Sequence, residues 1–233
     1  MSRRGDAKSL VHDVSRKLRQ SIFEGKLKPG DRLQPGVLSK EFGTSTTVVR
    51  EALILLGNDR LVRSSTGQGY FIPRLDPVEL RDLTKVRCHT ESLALTLAIE
   101  RGTLEWESEL TAAHHRLTRT PRRSPNESRH SNPEWFKAHR DFHAKLIEAC
   151  GIEVLTDFCD TLAAATELYR LWSGPIAASA TKARDVEKEH ADILEAVLAR
   201  DAPRATALLV AHYTTTVDNL LASWPVAVKD VAE

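Results

Sequence analysis

Leu10, Val14, Leu18 and Ile22 recur every four residues and stop before Gly25, a pattern that predicts an amphipathic helix from Ser9 with a glycine stop. The following KLKPGDRL predicts a turn and then extended chain. A short helix over 35–42 ends near Gly43. In TSTTVVREALILLGNDR, Thr44 or Ser45 can cap a helix over 45–57 with Val48, Val49, Ala52, Leu53 and Leu56 on its apolar face. LVRSSTGQGYFIPR predicts two short strands around Gly67-Gln68-Gly69, and Pro73 and Pro77 bracket a break. Beyond Pro77 the periodicity is helical throughout, over 78–101, 104–118, 133–150, 151–172, 180–200 and 202–223. Gly102, Gly151 and Gly174-Pro175 punctuate these helices, and the polar, proline-rich segment 118–133 reads as a surface loop.

Helix, short helix, turn, helix and a two-stranded wing make a winged helix-turn-helix over residues 1–75. Residues 76–228 then form an all-helical bundle of about six helices, so the chain is mainly α. Its 233 residues suit two modest domains. No apolar run approaches the roughly 18 residues that span a bilayer, and MSRRGDAKSL lacks the apolar stretch of a signal peptide. Cys88, Cys150 and Cys159 are odd in number and show no paired spacing, which fits a reduced, cytoplasmic compartment.

A net charge of +1 hides an asymmetry. Residues 1–75 carry 14 Lys and Arg against 7 Asp and Glu, whereas the remainder carries 19 against 25. A basic module of this kind faces a polyanion. The helix at 45–57 is the candidate reader of double-stranded DNA, because Ser45, Thr46, Thr47 and Arg50 crowd its polar start while its body is apolar. Arg50 can donate two parallel hydrogen bonds to guanine or clamp a phosphate. Ser45 and Thr47 can bond phosphate oxygens beside the amides of the helix start. Gln68 and Gly69 sit at the wing tip, where glycine permits close approach to the sugar-phosphate backbone. Plainer roles also fit: Ser45 as a cap alone, Arg50 as a surface ion-pair partner.

The stretch IFEGKLKPGDRL…LSKEFGTSTTVVREALILLGNDRLVRSSTGQGYFI resembles the DNA-binding domain of the GntR family of bacterial transcription regulators. Gly25, Pro29, Gly30, Leu33, Arg50, Glu51, Ala52, Leu53, Leu61, Val62 and Gly69 carry the match over residues 10–73. Two positions depart from it: Thr46 stands where the family usually has an arginine, and Val48 where it usually has proline. Losing one bidentate guanine contact removes roughly 1–3 kcal/mol of base discrimination, so the operator cannot be copied from relatives.

In the second half, EWFKAHRDFHAKLIEA puts His139 and His143 four residues apart on one helical face with Phe136, Leu146 and Ile147. His190 shares a stripe with Ile193, Leu194, Val197 and Leu198, and His212 with Ala205, Leu208 and Leu209. In an antiparallel hairpin turning near Asp201, His190 and His212 each lie about 16 Å from the turn at 1.5 Å per residue, and so stand level. With the 133–150 helix alongside, four imidazoles would gather around one metal. Asp141, about 200° around the helix from His139, points away. His12, His89, His114, His115 and His130 lack such placement and suit ordinary surface or partly buried roles.

Residues 78–223 resemble the FCD ligand-binding domain of the FadR subfamily of GntR regulators, through Arg87 and Glu91, HRDFH, the Glu189–Ala196 motif and the run from Arg200 to His212. The resemblance implies a divalent metal, a small organic acid as effector and a dimer on a palindromic operator. It also marks Arg87 as the candidate grip for the acid's carboxylate, with pairing to Glu91 as its alternative role. Tyr169 and Arg170 are suggested as pocket residues by periodicity alone. His139 stands where relatives usually place an acidic or amide ligand. An all-nitrogen set suits zinc, nickel, cobalt or copper better than manganese or calcium; zinc is favoured, with nickel next.

These readings describe a cytoplasmic, nucleoid-associated bacterial regulator, a repressor released by its effector, and not an enzyme. One alternative is a metal-dependent hydrolase, but Arg140 replaces the glutamate base of an HExxH site and four ligands would close a tetrahedral metal. Another is a DNA-binding regulator with a purely structural metal.

Overall fold

The computed structural model describes residues 3–124, 127–177 and 184–222. The chain divides into two compact units, one comprising residues up to Asp76 with Ala164–Tyr169, the other Pro77–Ala163 with the chain from Arg170 onward. A single boundary near residue 75 therefore leaves out the Ala164–Tyr169 segment.

In the first unit the elements run α1 (Arg3–Phe23), β1 (Arg32–Leu33), α2 (Pro35–Glu41), α3 (Thr46–Asn58), β2 (Arg63–Ser65) and β3 (Gly69–Phe71). Val11, Val14, Leu18 and Ile22 bury the inner face of α1, while Leu10 is exposed. A strict four-residue spacing drifts about 40° per repeat at 3.6 residues per turn, so Leu10 falls off the stripe and Val11 replaces it. The wing holds three strands in the order β1-β3-β2, all antiparallel, where the sequence predicted two. The added strand pairs Arg32 with Phe71 and Leu33 with Tyr70, and two residues are too few to show alternation. Gly67 and Gly69 take φ of 76° and 99°, a left-handed backbone that L side chains resist, so the turn itself requires them.

The second unit contains α4 (Pro77–Arg101), α5 (Leu104–Arg119), a hairpin of β4 (Arg123–Ser124) and β5 (Glu127–Ser131), α6 (Pro133–Ile147), a 3-10 turn (Glu148–Cys150), α7 (Glu153–Ala177), α8 (Val186–Leu198) and α9 (Ala202–Ala222). Thr103, Asn132 and Asp185 cap α5, α6 and α8 by accepting from the backbone N–H of Trp106, Glu134 and Lys188. Pro133 occupies the first turn of α6, where its missing N–H costs nothing.

Two expectations are corrected. Segment 118–133 holds an antiparallel hairpin with Arg123 opposite Ser131, a polar pairing that gives no apolar alternation to detect. No break occurs at Gly174-Pro175, since α7 runs through both residues to Ala177. The first residues of the helix expected at 180–200 lie outside the described residues, and α8 itself begins at Val186.

The core joins Leu95, Ile99, Leu110, Phe142, Leu146, Ile193, Val197 and Leu209. Polar clamps fix the helices around it. Trp106 Nε1 donates to the Lys145 carbonyl at 2.8 Å, tying α5 to α6. Arg200, at φ 56° in the α8–α9 turn, donates to the carbonyls of Ile99 and Gly102, tying that turn to the end of α4. Among the described residues, no helix is long and apolar enough to cross a membrane.

Candidate metal centre and nucleic-acid interface

α6 turns Trp135, Phe136, His139, Phe142, His143, Leu146 and Ile147 inward. His190 lies on the buried face of α8 and His212 on that of α9. The four histidines are only 2–5% exposed. Each offers a ring nitrogen, and these nitrogens all lie within 4.8 Å of one another. Ring centroids are 4.4 Å apart for His139 and His143 and 4.7 Å for His190 and His212, the pair placed level by residue counting. The widest separation, between His139 and His212, is 6.2 Å.

Such burial disfavours imidazolium. Loss of solvation pushes His139 and His143 well below the ordinary histidine range, with nearby cationic groups acting in the same direction. Burial brings His190 down to about 2 and His212 to about 4, the latter despite its hydrogen bond to Glu189. All four rings are therefore neutral at neutral pH and keep a lone pair. Two of these nitrogens, His143 Nε2 and His190 Nε2, are buried with no hydrogen-bond partner. Buried polar atoms are rarely left so. Two orphaned acceptors amid an all-imidazole donor set fit a borderline, nitrogen-preferring divalent cation.

Outside this ring lies a layer of partners that sequence reasoning largely missed. Glu189 Oε2 sits 2.7 Å from His212 Nδ1 and 2.5 Å from Arg184 Nη2. Burial pushes the Glu189 carboxyl up, but the bonds from His212 and Arg184 outweigh it and bring the pKa to about 2. Tyr213 contacts His143 Nδ1 at 3.0 Å, and burial raises its pKa well above the usual phenol range, so it keeps its proton. Arg170 Nη1 stands 3.3 Å from His139 Nδ1. Tyr213 continues the α9 stripe of Ala205, Leu209 and Val217 at four-residue steps, a signal available in the sequence. Arg184 sits in a polar stretch with no periodicity and gave none.

Arg87 is buried, paired with Glu91, and donates to Tyr213 Oη at 3.0 Å with its guanidinium 4.0 Å from the ring centre. The Glu91 pairing is thus present, and Arg87 is already engaged. Tyr169 clusters with the first unit, where its hydroxyl accepts from the Asp76 backbone N–H at 3.3 Å; the geometry lends its suggested effector role no support. Asp141 binds Lys137 at 2.5 Å on the outer face, as its angle around α6 requires. Beside the histidines, a cavity of about 290 Å³ is lined by Leu117, Thr118, Arg122, Trp135, Arg184 and His190, among others.

In the first unit, Ser45, Thr46, Thr47 and Arg50 are all exposed, as is Gln68, with Gly69 half-buried. Val49, Ala52, Leu53 and Leu56 bury the opposite face of α3. Ser45 Oγ accepts from the Val48 N–H at 3.2 Å, so it is the cap of α3, and its own O–H remains able to donate.

Residues 10–72 match the family described as "Bacterial regulatory proteins, gntR family", and residues 82–215 match the FCD domain. The chain is 33% identical over 212 residues to BphR of Paraburkholderia xenovorans (strain LB400), described as an uncharacterized HTH-type transcriptional regulator. That alignment covers 91% of this chain and 85% of BphR. This chain belongs to the GntR family. It is a DNA-binding transcription regulator that carries an FCD domain. It is also 30% identical over 206 residues to the HTH-type transcriptional repressor GlaR of Escherichia coli (strain K12), covering 88% of this chain and 93% of GlaR. Its fold resembles the solved structure of E. coli McbR/YncC with a TM-score of 0.74 at 21% identity, over 93% of this chain and 99% of that one. These relatives are described as HTH-type transcriptional regulators, the class that the sequence reading expected.

Proposed function

We propose that this GntR regulator is a repressor whose helical unit holds a divalent metal on His139, His143, His190 and His212 and responds to a small carboxylate. The observation that carries this reading is the convergence of four buried imidazole nitrogens within 4.8 Å. Zinc is the favoured ion and nickel the next, on donor chemistry. A bound cation would supply a positive charge that four neutral ligands leave uncompensated, and so attract an anion. The adjoining cavity of about 290 Å³ has room for a small acid, with the Trp135 indole as an apolar wall; its Arg122 and Arg184 are balanced by Asp185 and Glu187, so the bound cation would supply the net attraction. Arg87, which donates to Glu91 through Nε and to Tyr213 through Nη2, would have to keep or exchange those bonds to contribute.

On DNA, Thr46, Thr47 and Arg50 would meet base edges and Ser45 a phosphate, with Gln68 and Gly69 of the wing on the backbone. A homodimer, as in the FadR subfamily, would place two such heads on a palindrome in the nucleoid of a bacterial cytoplasm. GlaR's description as a repressor supports the same sign here. The acid must bind the DNA-competent and DNA-incompetent forms with different affinity to release the operator. The test is an operator titration by fluorescence anisotropy with metal-loaded protein and a panel of carboxylates. Loss of DNA affinity with one acid, abolished by His143→Ala, supports the reading.

A second reading has a specific observation behind it. Were all four histidines to bind one zinc ion, they would fill the four positions it usually takes, leaving none for an acid and making the metal purely structural. Nickel or cobalt, when six-coordinate, would retain two open positions. If no carboxylate alters operator affinity while chelation unfolds the helical unit, the structural reading stands.

A further inference from the structure

We propose that Tyr213 is a positioning residue that locks His143 in the tautomer carrying its proton on Nδ1, so that bare Nε2 faces the shared metal. This inference rests on the metal reading above. It follows from counting protons at one oxygen. A phenol has one hydrogen to give and two lone pairs to receive. Tyr213 Oη donates to Glu91 Oε2 at 2.5 Å, on a carboxyl group whose other oxygen accepts from Arg87 Nε. The phenol hydrogen therefore goes to Glu91. Arg87 Nη2, at 3.0 Å, only donates and fills one lone pair. His143 Nδ1, also at 3.0 Å, meets the remaining lone pair and must arrive with a hydrogen.

A proton on His143 Nε2 as well would leave a buried N–H without a partner, crowded by three other imidazoles. The ring is thus singly protonated, on Nδ1, and its metal-facing nitrogen is free. Glu189 does the same for His212, since its carboxylate at 2.7 Å calls for a hydrogen on Nδ1. Arg184 beside it donates to Glu189 and to the His212 carbonyl at 2.9 Å. Outer hydrogen bonds of this kind fix ring orientation and raise ligand basicity. The proposal gives Arg87 and Glu91 a task as well: they hold the phenol so that its lone pair points at His143.

The test uses the full-length protein. Two-bond ¹H–¹⁵N correlation spectra of the histidine rings, recorded on chelated protein, report each tautomer directly. His143, assigned by its loss in His143→Gln, is expected as the Nδ1–H form. Zn²⁺ affinity is then measured by competition with a chromophoric chelator, and Tyr213→Phe is expected to bind about 10–100-fold more weakly than wild type. Glu91→Gln, which keeps the phenol and changes its acceptor, is expected to fall between the two. An Nε2–H tautomer in the wild-type chain, or wild-type Zn²⁺ affinity in Tyr213→Phe, overturns the proposal. The tautomer is read in the wild-type chain and does not depend on Tyr213→Phe, so a Tyr213→Phe chain that fails to fold leaves that arm decisive. If His143 is Nδ1–H yet the wild type binds no Zn²⁺, Ni²⁺ or Co²⁺, the underlying metal reading fails and the positioning role goes with it.

Discussion

The start of α3 and the inner faces of α6, α8 and α9 handle polar side chains in opposite ways. Thr46, Thr47 and Arg50 are exposed, so water satisfies their hydrogen bonds and the folded chain imposes nothing on them. His139, His143, His190 and His212 are buried, and two of their nitrogens have no partner. An unsatisfied buried polar group costs about 1–3 kcal/mol, which demands a compensating ligand. Solvent-facing function therefore leaves its trace in the motif and the charge of the module, whereas buried function leaves it in geometry. That is why family resemblance carries the DNA-binding reading and physical chemistry carries the metal reading.

The largest expected effect breaks the second region alone. At a free metal concentration about 1,000 times Kd, binding adds about 4 kcal/mol, which for a chain of this size is roughly 10 °C in Tm. Calorimetry with and without chelator should show that loss, and His190→Ala should remove the difference between the two scans. A smaller effect is expected in the first region. Arg50→Ala should weaken operator binding by about 1–3 kcal/mol in anisotropy titrations, with Zn²⁺ affinity unchanged. A parallel loss of metal affinity would show that the two regions are not independent.

Thr46→Arg sharpens the contrast from the other side. It restores the charge that relatives carry at this position and should steepen the salt dependence of DNA binding by about one unit of log–log slope. The smallest effect belongs to Ser45→Ala, which removes the acceptor for the Val48 N–H. It should cost about 1 kcal/mol in denaturant unfolding, and Ser45→Asn should recover most of that.

Legibility followed the same division. Helices α1 and α3 to α9 were readable because each carries an apolar stripe long enough to show its period, whereas the short α2 buries only Leu38 and Ser39 and was marked by the glycine that follows it. The level placement of His190 and His212 followed from counting residues to a turn. The β4–β5 hairpin was not readable, since polar pairs on a surface hairpin leave no hydrophobic alternation. Nor was the pairing of β1, expected only as extended chain, because its two residues span a single period and show no repeat. Within the site, the ligand candidates were visible as histidines on apolar faces. Tyr213 shared the α9 stripe, but that it, Glu189 and Arg184 reach the rings was not visible, because spacing along one helix says nothing of contacts made between elements.

The central claim is that four imidazoles share one ion, and X-ray absorption on the purified full-length regulator, with elemental analysis of the same sample, addresses it most directly. The account predicts one divalent ion per chain with a first shell of nitrogen at about 2.0–2.1 Å and the multiple-scattering pattern of imidazole. A chain free of metal after loading, or a shell of oxygen or sulfur unchanged by His143→Ala, would contradict it.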